Sequence, residues 1–208
     1  MATTQPTDGR SAALLERAAA RQREAAQISA DLDVESGWAR FGAVHLVGAA
    51  AYGLIVAPDI DYEIFGPLTA QAGFEQCTRW AANPHVTKIK YVDGAATEDH
   101  GLGWQVTYRN GDTRWSVQMW LLPADYPGPR AADLVAPLNA RLDLRARTAV
   151  LSIKEAMVQA GTTYRSIDLY RAVLDDGIDT PERYKTWCAE NTTSGLLGWR
   201  PKPPGGAR

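Results

Sequence analysis

The chain has 208 residues, 45% of them hydrophobic, enough to bury a core in one compact domain with a helical appendage or in two small domains. With 22 Lys+Arg against 24 Asp+Glu the formal net charge is −2, which gives no bulk electrostatic case for binding nucleic acid or an anionic membrane. Two cysteines, Cys77 and Cys188, exclude a disulfide framework and zinc-type spacing, and with no signal-peptide pattern or long apolar run a cytoplasmic protein is expected.

Residues 1–10 are polar and turn-prone and are expected to form a disordered tail. From Ser11 to about Leu32 the sequence lacks Gly and Pro, and Leu14, Leu15, Ala18, Ala25 and Ile28 make the apolar stripe of an amphipathic helix. The apolar run Ala43 to Val47 then reads as a strand. In Gly48-Ala49-Ala50-Ala51-Tyr52-Gly53 the small residues let a helix begin directly off that strand, its exposed N–H groups suited to phosphate. Close helix packing alone would also explain them.

Asp59-Ile60-Asp61-Tyr62-Glu63 reads as a second strand, and alternation places the three carboxylates on one face with Ile60, Tyr62 and Ile64 on the other. Carboxylates in such a row repel one another unless they hold a cation. An Asp-x-Asp pair suits Mg²⁺, which takes one or two carboxylates together with phosphate oxygens and waters. The alternative is a solvated acidic strand.

Gly48 followed by Asp59 and Asp61 resembles the motif of the nucleotidyltransferase superfamily, the polymerase-beta-like fold that includes aminoglycoside nucleotidyltransferases. That motif is an apolar strand, a Gly-Ser or Gly-Gly turn, Asp-x-Asp on the next strand and a third carboxylate on a later one. The resemblance implies Mg²⁺ on the paired aspartates, a triphosphate held at the turn and transfer of a nucleotidyl group to an acceptor hydroxyl. Ala49 stands where the family usually has Ser, keeping the N–H and losing the hydroxyl.

Gly66-Pro67 stops the acidic strand, Leu68 to Ala82 reads as a helix, and Val86 to Val92 as a strand whose core face the pattern leaves open. Asn110-Gly111 is a hairpin signal. A two-residue turn there pairs Arg109 with Asp112, Thr107 with Arg114, Gln105 with Ser116 and Gly103 with Gln118, leaving Trp104, Val106, Tyr108, Trp115, Val117 and Met119 on the apolar face. Gln118 falls on the polar face, where the resembling family carries its third carboxylate; Gln neither binds a second Mg²⁺ strongly nor acts as a base. Arg109 and Arg114 read as anion clamps or as cross-strand partners of acids, and Trp120 as a pocket-lining residue.

Pro123 to Pro129 is a loop and the best domain boundary. Beyond it the chain reads as helical, with Pro137 dividing a short helix from a longer one whose buried stripe is Leu142, Ala149, Ile153, Ala156 and Met157. Lys154 matches a family Ile-Lys-Glu and by that resemblance reaches nucleotide phosphates; a solvated Lys paired with a nearby acid is the alternative. Ser166 is a candidate N-cap, Gly177 a stop and Pro181 a first helical residue, and 192–208 is expected to be a mobile tail.

The expected architecture is α/β (α+β): a mixed sheet of a nucleotidyltransferase-type domain flanked by helices over 11–129, followed by a C-terminal helical bundle over 130–191. The expected catalytic residues are Asp59, Asp61, Glu63 and Gln118, with Asp59 and Asp61 as metal ligands; Gly48, Ala49, Tyr52, Arg109, Arg114 and Lys154 are expected to bind the nucleotide. The expected function is Mg²⁺-dependent nucleotidyl transfer from an NTP to a small-molecule acceptor, with no nucleic-acid or membrane partner and a homodimer left open. The rival is a cleft repurposed in small-molecule metabolism, needing neither Mg²⁺ nor NTP, because Ala49 and Gln118 depart from the motif.

Overall fold

The structure is a computed structural model and describes residues 9–191 and 198–202. The elements run α1 (Gly9–Asp31), α2 (Val34–Ala39), β1 (Ala43–Val47), α3 (Gly48–Tyr52), β2 (Asp59–Phe65), α4 (Ala70–Ala81), β3 (Val86–Gly94), β4 (Gly101–Asn110) and β5 (Thr113–Leu122), then α5 (Ala132–Arg141), α6 (Leu144–Gln159), α7 (Ser166–Asp176) and α8 (Pro181–Asn191). The strands form one sheet in the order β1-β2-β5-β4-β3. Only β2 and β5 are parallel, so the sheet is mixed, as the fold class required.

The sheet has two unlike faces. Ile60, Tyr62 and Ile64 of β2, Trp104 and Val106 of β4, and Val117 and Met119 of β5 are buried in one apolar core with the C-terminal half of α1, α2 and α4. A second core gathers the N-terminal half of α1 (Leu14, Ala18), Tyr52 and Leu54, and α5 to α8. The long first helix thus bridges both cores, because its stripe of Leu14, Ala18, Ala25 and Ile28 is buried along its whole length.

Local chemistry ends the elements where it can. Gly53 and Gly177 adopt the left-handed conformation that closes α3 and α7, and Asp143 accepts from the N–H of Ala146 to cap α6. Three expectations change. Pro137 lies inside α5 and does not divide the helices; the break falls at Leu142 and Asp143, where the side-chain cap starts a new helix, so Leu142 is buried outside α6. The N-cap of α7 is Arg165, and Ser166 is its first residue.

The third change is the hairpin register. The two-residue turn is Gly111-Asp112, with Gly111 at φ 59 as a type II′ turn demands at its first central position, so Arg109 pairs with Arg114, Thr107 with Ser116, and Gln105 with Gln118. The register differs from the expected one by two residues, and because the side-chain period is two, every residue keeps its face. In β3 a bulge between Val86 and Lys88 resolves the ambiguity, turning Ile89 and Tyr91 to the core and leaving Lys88 and Lys90 outside.

The expected tail residues 1–8, 192–197 and 203–208 lie outside the described residues. Within 198–202, Trp199 packs on the helical core and its indole donates to Asp175 at 2.8 Å. No helix among the described residues is long and apolar enough to cross a membrane.

Candidate functional site

Cross-strand partners share a face, so the ladder can be read in rows across the sheet. One row joins Lys88, Thr107, Ser116 and Asp59; the next joins Lys90, Gln105, Gln118, Asp61 and Val47; the third joins Val92, Gly103, Trp120, Glu63 and His45. This is the face turned away from the closed apolar core. Its middle, from Gln105 to Trp120, is half-exposed, and the Gln105 amide donates to the Ser116 hydroxyl at 2.8 Å.

Asp59 and Asp61 stand side by side on this face, half-buried. Burial holds the Asp59 carboxyl above its ordinary pKa, opposed by the Lys154 ammonium. Asp61 is pushed up to about 7, first by burial and then by the neighbouring Asp59 charge, with Lys154 again opposing. Gly48 exists for Asp61: a Cβ there would sit 2.4 Å from Asp61 Oδ2, and its φ of 62 disfavours any side chain. Small residues after β1 therefore let the backbone press against the carboxylate, with α3 starting directly off the strand as expected.

Other expected residues are placed elsewhere. Glu63 is not free for catalysis: its two oxygens accept the N–H groups of Ala131 and Ala132 at 2.9 and 2.8 Å, tying β2 to the start of α5. Tyr52 is 3% exposed and packs edge-on against Tyr170 at 5.5 Å in the helical core, so it lines no nucleotide pocket. Lys154 is 2% exposed, donating to the Leu54 carbonyl at 3.3 Å and the Tyr170 hydroxyl at 3.1 Å. It is neither a solvated lysine nor an arm toward phosphates. Burial lowers its pKa, while Tyr164, Asp59 and Asp61 hold it up.

Gln118 pairs directly with Asp61 and lies on the carboxylate face, beside the pair as expected. Ala49 is half-buried and packs on the sheet core. Arg109 and Arg114 are exposed and opposite each other, not opposite acids, so the reading of them as partners of cross-strand acids falls. Sequence reasoning missed Lys88 and Lys90, because nothing local announces the bulge that turns them onto this face. It also missed Tyr164 and Tyr170, whose tie to Lys154 spans two helices.

Mg²⁺ fits what is present. Two desolvated carboxylates, with the Asp59 charge raising the proton affinity of Asp61 and one buried lysine offsetting this only in part, are what a hard divalent ion relieves. Among the described residues there is no group of three or more His, Cys, Asp or Glu side chains arranged to hold a metal ion, so Asp59 and Asp61 would supply all the protein's carboxylates.

Neither a family model nor a curated protein sequence matches the chain. Among solved structures it is similar to the polymerase core of TRAMP, an RNA surveillance complex, at 15% identity and TM-score 0.47 over 81% of this chain and 50% of that one. It is also similar to the non-canonical poly(A) polymerase complex GLD-2–GLD-3 (13% identity, TM-score 0.47, 84% and 63% of the two chains) and to the GLD-2/RNP-8 complex (12%, 0.46, 89% and 73%). The chain spans half the length of the first and under two thirds of the second. With RNA and protein complexes named among these structures, the exclusion of nucleic acid and the restriction to a small-molecule partner are withdrawn. Net charge was the wrong measure, since a sum near zero conceals how the charges are distributed.

Proposed function

We propose that the chain catalyses Mg²⁺-dependent transfer of a nucleotidyl group from a nucleoside triphosphate to an acceptor hydroxyl. The observation that carries this reading is the Asp59–Asp61 pair, half-buried, mutually repelling, backed by Lys154 and pressed by the side-chain-free Gly48. Asp59 and Asp61 hold the ion, which when bound neutralises phosphate charge. The acceptor oxygen forms a bond to the α-phosphorus as the bond to the β-phosphate oxygen breaks; pyrophosphate leaves with that electron pair and the hydroxyl proton passes to water.

Such transfers depend on positioning and charge stabilisation more than on a strong base, which makes a neutral Gln118 tolerable. Its amide both donates and accepts, so beside Asp61 it orients the acceptor without removing its proton. Lys154 opposes the burial that raises the proton affinity of the two carboxylates.

The test is the melting temperature with ATP, GTP, CTP or UTP, each with MgCl₂ and with chelator. A nucleotide at a hundredfold its Kd adds roughly 2.7 kcal/mol. The expected result is a Mg²⁺-dependent rise that Asp59→Asn abolishes. A rise that survives chelator and Asp59→Asn would instead establish the metal-independent cleft to which Gln118, in the place of a carboxylate, points.

A further inference from the structure

The open face carries a second constellation beyond the carboxylates. Lys88 and Lys90 project from the edge strand β3, and Arg109 and Arg114 face each other near the β4–β5 turn, all four exposed. Among the described residues none of the four forms a salt bridge, although seven such bridges occur elsewhere on the molecule. Like charges directly opposite each other destabilise a strand pair, and here Arg109 and Arg114 are left so. Four unneutralised cations on one sheet face are a local positive field within a chain of net charge −2.

Their placement defines what they fit. Lys88 and Lys90 are two residues apart on one strand, about 7 Å, and Lys90 lies three strand spacings from Asp61, roughly 14 Å. Arg114 is one strand over and two residues along from Asp59, roughly 8 Å. Charges spread at such intervals do not converge on one phosphate; they match phosphates strung along an extended chain. Trp120 adds an aromatic surface on the same face, packed on Gly103, whose missing side chain lets the indole lie against the sheet. Positive charge that tracks a backbone, combined with an aromatic ring for a base, is how single strands are held. Gln105, Thr107 and Ser116 fill the ground between with hydrogen-bonding groups.

We infer that this face is the acceptor surface and binds a single-stranded phosphodiester chain, RNA or DNA, along Lys88, Lys90, Arg109 and Arg114 with its terminal hydroxyl directed over Gln118 toward Asp59 and Asp61. The inference rests on the nucleotidyl-transfer reading for the word acceptor, while the binding itself does not. Because α5, held by Glu63, lies over the β1 end of the sheet, the chain enters from the β3 edge.

The experiment is fluorescence anisotropy of a 5′-labelled 12-nucleotide oligo(A) RNA and its DNA counterpart with the full-length protein, without nucleotide and with chelator. Four phosphate contacts predict a slope of log affinity on log salt near −2.8, hence about 50-fold weaker binding at 200 mM than at 50 mM salt. The variant K88Q/K90Q/R109Q/R114Q, checked for an unchanged melting temperature, should bind at least tenfold more weakly at 50 mM, with a slope shallower than about −1. Tighter binding of RNA than DNA adds a 2′-hydroxyl contact to the surface; equal binding assigns it to phosphates alone.

Wild-type protein that binds neither oligonucleotide at 50 mM salt, or a quadruple variant that binds like wild type, overturns the inference. A Mg²⁺-dependent nucleotide shift that persists in that case leaves the transfer reading standing. The reverse result, oligonucleotide binding without any nucleotide shift, removes the transfer reading and keeps the surface.

Discussion

The two faces of the β-sheet are built from the same strands and differ in every physical respect. On one, Ile60, Trp104, Trp115, Val117 and Met119 are buried among α1, α2 and α4; on the other, Asp59, Asp61, Gln118, Gln105 and Lys90 stay partly or fully in water. The closed face supplies stability and the open one supplies chemistry, so substitutions should sort by face before they sort by residue type. Burial of apolar area holds the first together, whereas the second keeps like charges close and is stable only because the first outweighs it.

The largest effect is expected on the closed face. Trp104 is 1% exposed, touches Trp38 at 5.3 Å and fills the space above Gly73, so Trp104→Ala should cost about 3–5 kcal/mol in urea unfolding. A cost below about 1 kcal/mol would mean that this face is not the core. Next, Asp61 binds its proton more tightly folded than unfolded, since its pKa is raised to about 7. Its ionisation therefore costs stability increasingly from about pH 4 to 7 and fully above, with no cost below the unfolded value. Asp61→Asn should accordingly raise the melting temperature of the metal-free protein at pH 8 by a few degrees and do nothing at pH 3.5, which scanning calorimetry at the two pH values would show.

Smaller still is Gly48→Ala. A left-handed position filled by a side chain costs roughly 1–2 kcal/mol, and this methyl also meets Asp61, so the Mg²⁺-dependent nucleotide shift should shrink along with stability. Unchanged nucleotide response would separate Gly48 from the site. At the foot of the scale, Lys88→Gln with Lys90→Gln should alter stability by less than about 0.5 kcal/mol, because neither side chain is buried or salt-bridged among the described residues. A loss above 1 kcal/mol in denaturant titration would blur the contrast between the faces.

What could be read in advance was what depends on period and on nearest neighbours. Alternation from Asp59 to Ile64 assigned each side chain of β2 to its face, and the small residues from Gly48 placed a helix directly after β1. Glu63 shared that alternation with the two aspartates, yet it serves the start of α5, 68 residues onward, and no local signal announces a partner so distant. Lys154 and Tyr52 were misplaced for the same reason: a lysine or a tyrosine reads identically whether its tip meets solvent or the hydroxyl of Tyr170. The hairpin turn was displaced because Asn110-Gly111 and Gly111-Asp112 are both favourable pairs, and only the remaining ladder decides between them.

That displacement has a practical side. Sidedness in the β4–β5 ribbon depends on parity and not on length, so the tip at Gly111-Asp112 can be lengthened or trimmed by one residue pair per strand while every outward position stays outward. Each added pair extends the ribbon by about 7 Å. Removal of a single residue from one strand would do the opposite, sending Gln118 inward and Met119 out, and would interchange floor and foundation in one step.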